Sequence, residues 1–256
     1  MERHQCSIVA DSVRHRRERG AIHDDGEVSS PSPQAAAWDR EYADGRYRGE
    51  PPVAFVADIL AAARRAGVTS GLYIGCGNGR NYGPLVRGGL DLTGLDVSDV
   101  ALRQLSARMP GRRGSLVHGD LSALPDQARY GIVVGIQVFQ HGHAGAAHAH
   151  LKAAQGRVAP GGLMAVRVNA AGTDIAFTHR VTGRSGGDGF TILYLEGPKA
   201  GLEIHFFGGT ELRGLFATGF EPVLPMRAQV TWRPPPQAGQ WTQWEAIWRA
   251  SGPRSA

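Results

Sequence analysis

Three glycines at alternate positions, Gly75, Gly77 and Gly79, close an apolar run in the stretch Gly71-Leu-Tyr-Ile-Gly-Cys-Gly-Asn-Gly-Arg-Asn81. The pattern predicts a strand, a tight turn and a helix N-terminus. Glycine lets the backbone take positive φ and clears side chains from the place where a ligand lies against the chain. The first amides of the helix have no internal partner and carry partial positive charge, so the turn suits an anionic or oxygen-rich ligand. Further along, polar residues follow other apolar runs: Asp96, Asp120, and the group Gln137-Val-Phe-Gln-His141. Histidine titrates near neutrality, so His141 is a candidate proton acceptor, with His143 a weaker one.

Alternating elements must position these groups. Residues 54–66 carry apolar positions at helical spacing (Phe55, Ile59, Leu60, Ala63), with Gly67 as a stop. After the glycine turn the pattern predicts a short helix over 81–87 and a strand over 90–96. Ser98 then caps a helix over 99–108. Strands follow at 115–118 and 130–136, the latter apolar throughout and therefore central. A helix over 144–157 leads through Pro160-Gly161-Gly162 to a strand over 161–169. This alternation implies an α/β fold with a doubly wound, mostly parallel sheet, which binds ligands at the carboxyl ends of its strands. The marked residues fall at those ends.

Beyond Asn169 the period changes. Runs at 190–196 and 202–207, joined by Gly197-Pro-Lys-Ala-Gly201, predict an inserted β-hairpin, a lid over 190–207 presenting Tyr194, His205, Phe206 and Phe207. A short helix over 211–217 and strands over 220–231 and 240–249 complete the chain. Most of the tryptophans Trp232, Trp241, Trp244 and Trp248 are expected to pack, with one or two lining a pocket. Residues 1–33 are polar and end in Ser29-Ser-Pro-Ser-Pro33, so a disordered leader precedes a domain over 34–250.

Composition narrows the classes. The formal net charge is +5 and the pI near 9.6. The cations are interspersed with acids and form no long basic run, which disfavours nucleic acid as a partner. The two cysteines, Cys6 and Cys76, make a disulfide framework improbable. No apolar stretch of about 18 residues spans a membrane, and the expected location is cytoplasmic. The histidines at 141, 143, 148 and 150 suggest a metal, but His148 and His150 are two apart on a helix and face different ways, so no metal is expected. The oligomeric state is not legible.

The glycine turn, the acids Asp96 and Asp120 in step with it, and Pro160-Gly-Gly162 before a strand together resemble the class I S-adenosylmethionine-dependent methyltransferases, over roughly residues 38–249. The segment Trp38-Asp-Arg-Glu-Tyr42 is similar to the openings of the thiopurine and tellurite-resistance groups. A dinucleotide fingerprint would need glycine at position 80, where Arg80 stands. The resemblance implies a Rossmann-like seven-stranded sheet with an antiparallel last strand, and S-adenosylmethionine as cofactor. It brings Gly75, Cys76 and Gly77 against the amino-acid end of the cofactor, with Asn81 orienting the loop or the carboxylate. It assigns the ribose hydroxyls to Asp96, with Val97 beside it. Asp120 and the Leu121 amide would meet the adenine, and Gln137 the cofactor or substrate. Asp96 and Asp120 have alternative roles as a helix cap and a turn residue. Trp38 and Tyr42 either fold over the cofactor, where a sulfonium would gain about 0.5–2 kcal/mol of cation–π attraction, or pack the N-terminal helix. Cys76 fills the turn. The family often has an acid at the position of Tyr73, so Tyr73 offers the cofactor a hydroxyl or a ring face instead.

The activity implied is methyl transfer to an O, N or S atom of a small molecule, specialised metabolites included, with His141 as the catalytic base. Two alternatives stand. One is a displacement within S-adenosylmethionine that releases methylthioadenosine, motivated by Tyr73. The other is RNA modification, disfavoured because no RNA-binding module is visible.

Overall fold

The computed structural model describes residues 33–235 and 238–252. The leader expected over residues 1–33 lies, apart from Pro33, outside them. The chain begins with helix α1 (Pro33–Ala43) and helix α2 (Phe55–Arg65). Alternation then follows: β1 (Ser70–Ile74), α3 (Tyr82–Arg87), β2 (Asp91–Asp96), α4 (Asp99–Arg108), β3 (Leu116–His118), β4 (Tyr130–Ile136), α5 (Ala144–Gln155) and β5 (Val158–Asn169). Three short strands, β6 (His179–Arg184), β7 (Phe190–Tyr194) and β8 (Glu203–Phe206), precede α6 (Gly209–Leu215), β9 (Phe220–Trp232) and β10 (Gln240–Ala250).

The main sheet has seven strands in the order β3-β2-β1-β4-β5-β10-β9. The strands β1 to β5 pair in parallel, whereas β10 is antiparallel to both of its neighbours. The expected α/β, doubly wound, seven-stranded sheet with an antiparallel last strand is therefore present. The apolar run at β4 occupies the middle of it. Alternate residues of each strand face opposite sides, which yields two cores. Tyr73, Ile132, Val134 and Ile136 join α2 and α3 on one face. Leu72, Ile74 and Val133 join α5 and α6 on the other.

Local chemistry sets the ends of the helices. Ser98 Oγ accepts from the Ala101 amide at 3.1 Å and caps α4. Gly67, at φ +66°, ends α2 with the left-handed residue that a helix stop favours. His143 caps α5, its Nδ1 accepting from the Ala146 amide at 3.3 Å.

Two features differ from expectation. The inserted lid is a three-stranded antiparallel sheet, β6-β7-β8, rather than a hairpin alone. The extra strand, His179–Arg184, is almost entirely exposed and carries no apolar face, so no hydrophobic period marks it. The Pro160-Gly161-Gly162 turn lies inside β5 as an irregularity, Tyr130 pairing with Val158 and Ile132 with Leu163.

Candidate active site

The carboxyl ends of β1, β2 and β4 line one cavity, roofed by α1. Gly75 and Gly77 have φ of +69° and +53°. A side chain at Gly75 would run into Val138, and one at Gly77 into the hydroxyl of Tyr42. The turn is thus a cradle that only glycine can form, and it keeps the backbone open to the cavity. Cys76 is buried beneath the turn, and burial raises its thiol pKa well above the ordinary value, so it fills space and stays protonated.

Asp96 is buried at the end of β2. Its Oδ2 accepts from the Gly77 amide at 2.7 Å and its Oδ1 from the Ser98 amide at 2.9 Å. Burial raises its pKa while these two bonds oppose the rise. The carboxylate therefore locks the glycine turn to the second strand and still faces the cavity alongside Val97. Asp120 also lines the cavity, and its Oδ1 accepts from the Ser122 amide and hydroxyl at 2.8 and 2.6 Å. It is a turn residue and a wall residue at once, and the two Ser122 bonds lower its pKa.

Helix α1 is tied down by polar contacts. Asp39 Oδ1 accepts from Ser98 Oγ at 2.6 Å and from the Val100 amide at 3.1 Å, and Gln104 Nε2 donates to Tyr42 O at 2.9 Å. These bonds bring Trp38 and Tyr42 over the cavity, their rings 6.0 Å apart. Trp38 also meets the His141 ring edge-on at 5.3 Å. Asn81 Oδ1 accepts from the Val53 amide at 3.0 Å and anchors the segment that follows α1. Tyr73 is fully buried and its ring meets Tyr82 at 6.1 Å. Burial raises its pKa strongly, with Asn81 and Arg80 opposing, so it presents a neutral hydroxyl.

Gln137 follows β4 at φ +57°, and its amide donates to Arg167 O at 2.7 Å. Tyr47 sits at φ +59° on another wall of the cavity. These are the two non-glycine residues with left-handed backbone among those described. Such conformations cost about 1–3 kcal/mol each and cluster at functional sites. His141 lines the same cavity, and burial together with the Lys199 ammonium pushes its pKa down to about 3.

Every cavity residue expected from the sequence lines this space except Leu121, whose side chain packs into the core around α5. A leucine at the start of a one-turn helix buries its side chain, whatever its amide faces. Gln34, Tyr47, Asn78, Arg80 and His150 also line it and were not singled out. No sequence signal marks most of them, although Asn78 and Arg80 lie within the glycine stretch. His143 is exposed and serves as a helix cap, apart from the cavity.

A second cavity shares Tyr47, Arg80 and Gln137 with the first. Its walls include Tyr194 and Phe206 of the inserted sheet, Lys199, Phe177, Arg233 and Trp241. Across β5 and β10, Arg167 Nε donates to Glu245 Oε1 and Arg167 Nη2 to Gln243 Oε1, both at 2.9 Å. Of the lid residues singled out, Tyr194 and Phe206 face this cavity, whereas His205 and Phe207 are buried elsewhere. Trp241 is the tryptophan that lines it, and Trp248 stacks on Phe216 in the core. Among the described residues no helix is long and apolar enough to cross a membrane.

Residues 72–162 match a family model described as a methyltransferase domain. No curated protein matches the chain at a significant level. Solved structures match its fold. The 1,6-didemethyltoxoflavin-N1-methyltransferase of Burkholderia thailandensis is 22% identical, with 89% of this chain and 93% of that one covered and a TM-score of 0.59. The CcbJ methyltransferase of Streptomyces caelestis is 16% identical over 84% and 98%, with a TM-score of 0.56. The amino pentose methyltransferase CalS10 of Micromonospora echinaspora, solved with S-adenosylmethionine, is 17% identical over 83% and 97%, with a TM-score of 0.51. The glycine cradle, the buried strand-end carboxylate and the seven-stranded topology fit S-adenosylmethionine, and residues 72–162 carry a methyltransferase domain.

Proposed function

We propose that the enzyme methylates an O, N or S atom of a small molecule, such as a specialised metabolite, held in the second cavity. The observation that carries this reading is the wall common to the two cavities, Tyr47, Arg80 and Gln137, with the inserted sheet covering the second. Two of the solved neighbours act, by their names, on a toxoflavin precursor and an amino pentose, both small molecules.

S-adenosylmethionine supplies an electrophilic methyl group on a sulfonium that departs as a neutral thioether. The protein's part is to align a nucleophile and exclude water. Gly75, Cys76, Gly77 and Asn81 would receive the amino-acid end, Asp96 and Val97 the ribose, and Asp120 with the Leu121 amide the adenine. Trp38, Tyr42 and Tyr73 close the site around the sulfur. His141, neutral at physiological pH, offers an imidazole nitrogen that accepts the hydrogen bond of an incoming hydroxyl, amine or thiol. A conjugate acid with a pKa of about 3 is a weak base for full proton removal, so its part is early acceptance and orientation. The Lys199 side chain lines the second cavity and forms neither an ion pair nor a hydrogen bond among the described residues. It therefore favours an acceptor bearing an anionic or electron-rich group.

Incubation with methyl-labelled S-adenosylmethionine and a panel of small molecules tests the reading. Label should move to a small molecule with one equivalent of S-adenosylhomocysteine formed. Lys199→Met should raise the acceptor KM about fivefold, ~1 kcal/mol, with S-adenosylhomocysteine affinity unchanged. Label that stays in S-adenosylmethionine with every acceptor would count against it, as would methylthioadenosine released in the absence of any acceptor.

A further inference from the structure

On the far side of α5 from the cofactor cavity, three side chains from separate elements converge. His148 of α5 and His205 of β8 both point Nε2 at one oxygen, Oε1 of Glu211 in the first turn of α6, at 2.6 and 3.0 Å. All three potential ligand atoms lie within 4.8 Å of one another. The two imidazole planes are nearly perpendicular, at 85°, with centroids 5.7 Å apart. His205 is fully buried and Glu211 nearly so, whereas the His148 side chain is 28% exposed. The group is therefore closed on the protein side and open to solvent at one edge.

We propose that His148, His205 and Glu211 form a site for a zinc-like divalent cation that staples the inserted sheet and α6 to helix α5. Two imidazoles and a carboxylate are a donor set suited to zinc, whereas magnesium and calcium prefer oxygen alone. A tetrahedral ion with bonds of about 2.1 Å sets its ligand atoms about 3.4 Å apart. The two spacings from histidine nitrogen to Oε1 of Glu211, 2.6 and 3.0 Å, need only a small outward shift to reach this. Water entering past His148 completes the fourth position.

The surroundings are already arranged for ligation. His205 Nδ1 lies 3.0 Å from Thr191 Oγ1, so with Nε2 on a metal the ring can donate Nδ1–H to that hydroxyl. Glu211 Oε2 accepts from the Gly208 amide at 2.9 Å, which leaves Oε1 free to ligate. The Phe207 ring packs against both imidazoles, at 4.6 and 6.0 Å, and limits their rotation. The sequence offered no sign of this set. The histidine grouping weighed there does not assemble, because His150 turns to the cofactor cavity against Phe139 while His148 turns to Glu211.

The staple would hold the acceptor side of the enzyme. His205 N donates to Gln140 O at 2.8 Å, and Ile204 bridges to His141. The ion would thereby fix the strand that supports His141 without touching substrate.

The test uses the full, untagged chain, stripped with a chelator and titrated with Zn2+, then with Co2+ as a spectroscopic probe. One equivalent of zinc should be retained, the melting temperature should rise, and Co2+ should give the visible absorption of a tetrahedral N/O site. His148→Ala, at the partly exposed ligand, and Glu211→Gln should each weaken zinc binding about tenfold or more. Circular dichroism and S-adenosylhomocysteine affinity check that both variants fold. Zinc retained equally by the wild type and His148→Ala would overturn the proposal. So would a wild type that takes up no zinc and whose melting temperature the metal leaves unchanged.

Discussion

Backbone shapes the cavity at the glycine turn, and side chains shape the second cavity, proposed above to hold the acceptor. In the first, the turn at Gly75 and Gly77, the strand-end carboxylate of Asp96 and the strained peptide at Gln137 are held by bonds to main-chain amides and carbonyls. In the second, the walls come from β5, β10, the inserted sheet and the loops around it. Its polar centre is a side-chain network, Arg167 with Glu245 and Gln243, extended by Arg227 at 2.9 Å from Glu245. The first arrangement rests on short-range backbone geometry at strand ends. The second depends on which side chains the packing of distant elements brings together.

The contrast can be broken by experiment. The largest expected effect is on the acceptor side. Arg167→Met strands a buried Glu245, which keeps only the half-exposed Arg227 and costs about 3 kcal/mol of stability. Chemical denaturation should report that loss while S-adenosylhomocysteine affinity stays within about twofold. A large loss of affinity would mean that the two cavities are not separable. Next comes Asp96→Ala, which removes the proposed ribose acceptor and orphans the Gly77 and Ser98 amides. Calorimetry should find affinity for S-adenosylhomocysteine reduced about 30-fold, ~2 kcal/mol. Unchanged affinity would remove the carboxylate from the site.

Gly77→Ala should weaken the same binding about tenfold, because φ is +53° and the new methyl meets the Tyr42 hydroxyl. Tyr42→Phe in that background should recover part of the loss if the collision, rather than the backbone, dominates. The smallest effect is in pH. His141 has a folded pKa near 3 against an ordinary 6.5, so the unfolded chain binds the extra proton between those values. Its contribution to stability is whole above about pH 6.5 and is lost as pH falls toward 3. His141→Gln should flatten the rise of melting temperature across that window. The wild-type single-turnover rate should show no limb near pH 6.5, and a limb there would make His141 an ordinary titrating base.

What could be read from residues alone follows the same division. Glycine spacing, apolar runs and the acids after them are local patterns, and each predicts a strand end because a strand, a turn and a helix are short-range objects. The succession of β1 to β5 along the chain, the central place of β4, the Ser98 cap and the cradle at Gly75 and Gly77 all came from such patterns. The exposed strand β6 escaped because it buries no face and has no hydrophobic period.

The Leu121 side chain packs into the core, which leaves its amide as the group it can offer to the cavity. Amino-acid types and spacing determined that this chain winds a parallel sheet and offers a glycine cradle and carboxylates at its strand ends. Only tertiary structure decided that Asp39 ties α1 to α4, that Tyr47 and Gln137 are strained into one cavity, and that His148, His205 and Glu211 meet. Those meetings join residues far apart in the chain, and their geometry depends on how whole elements pack.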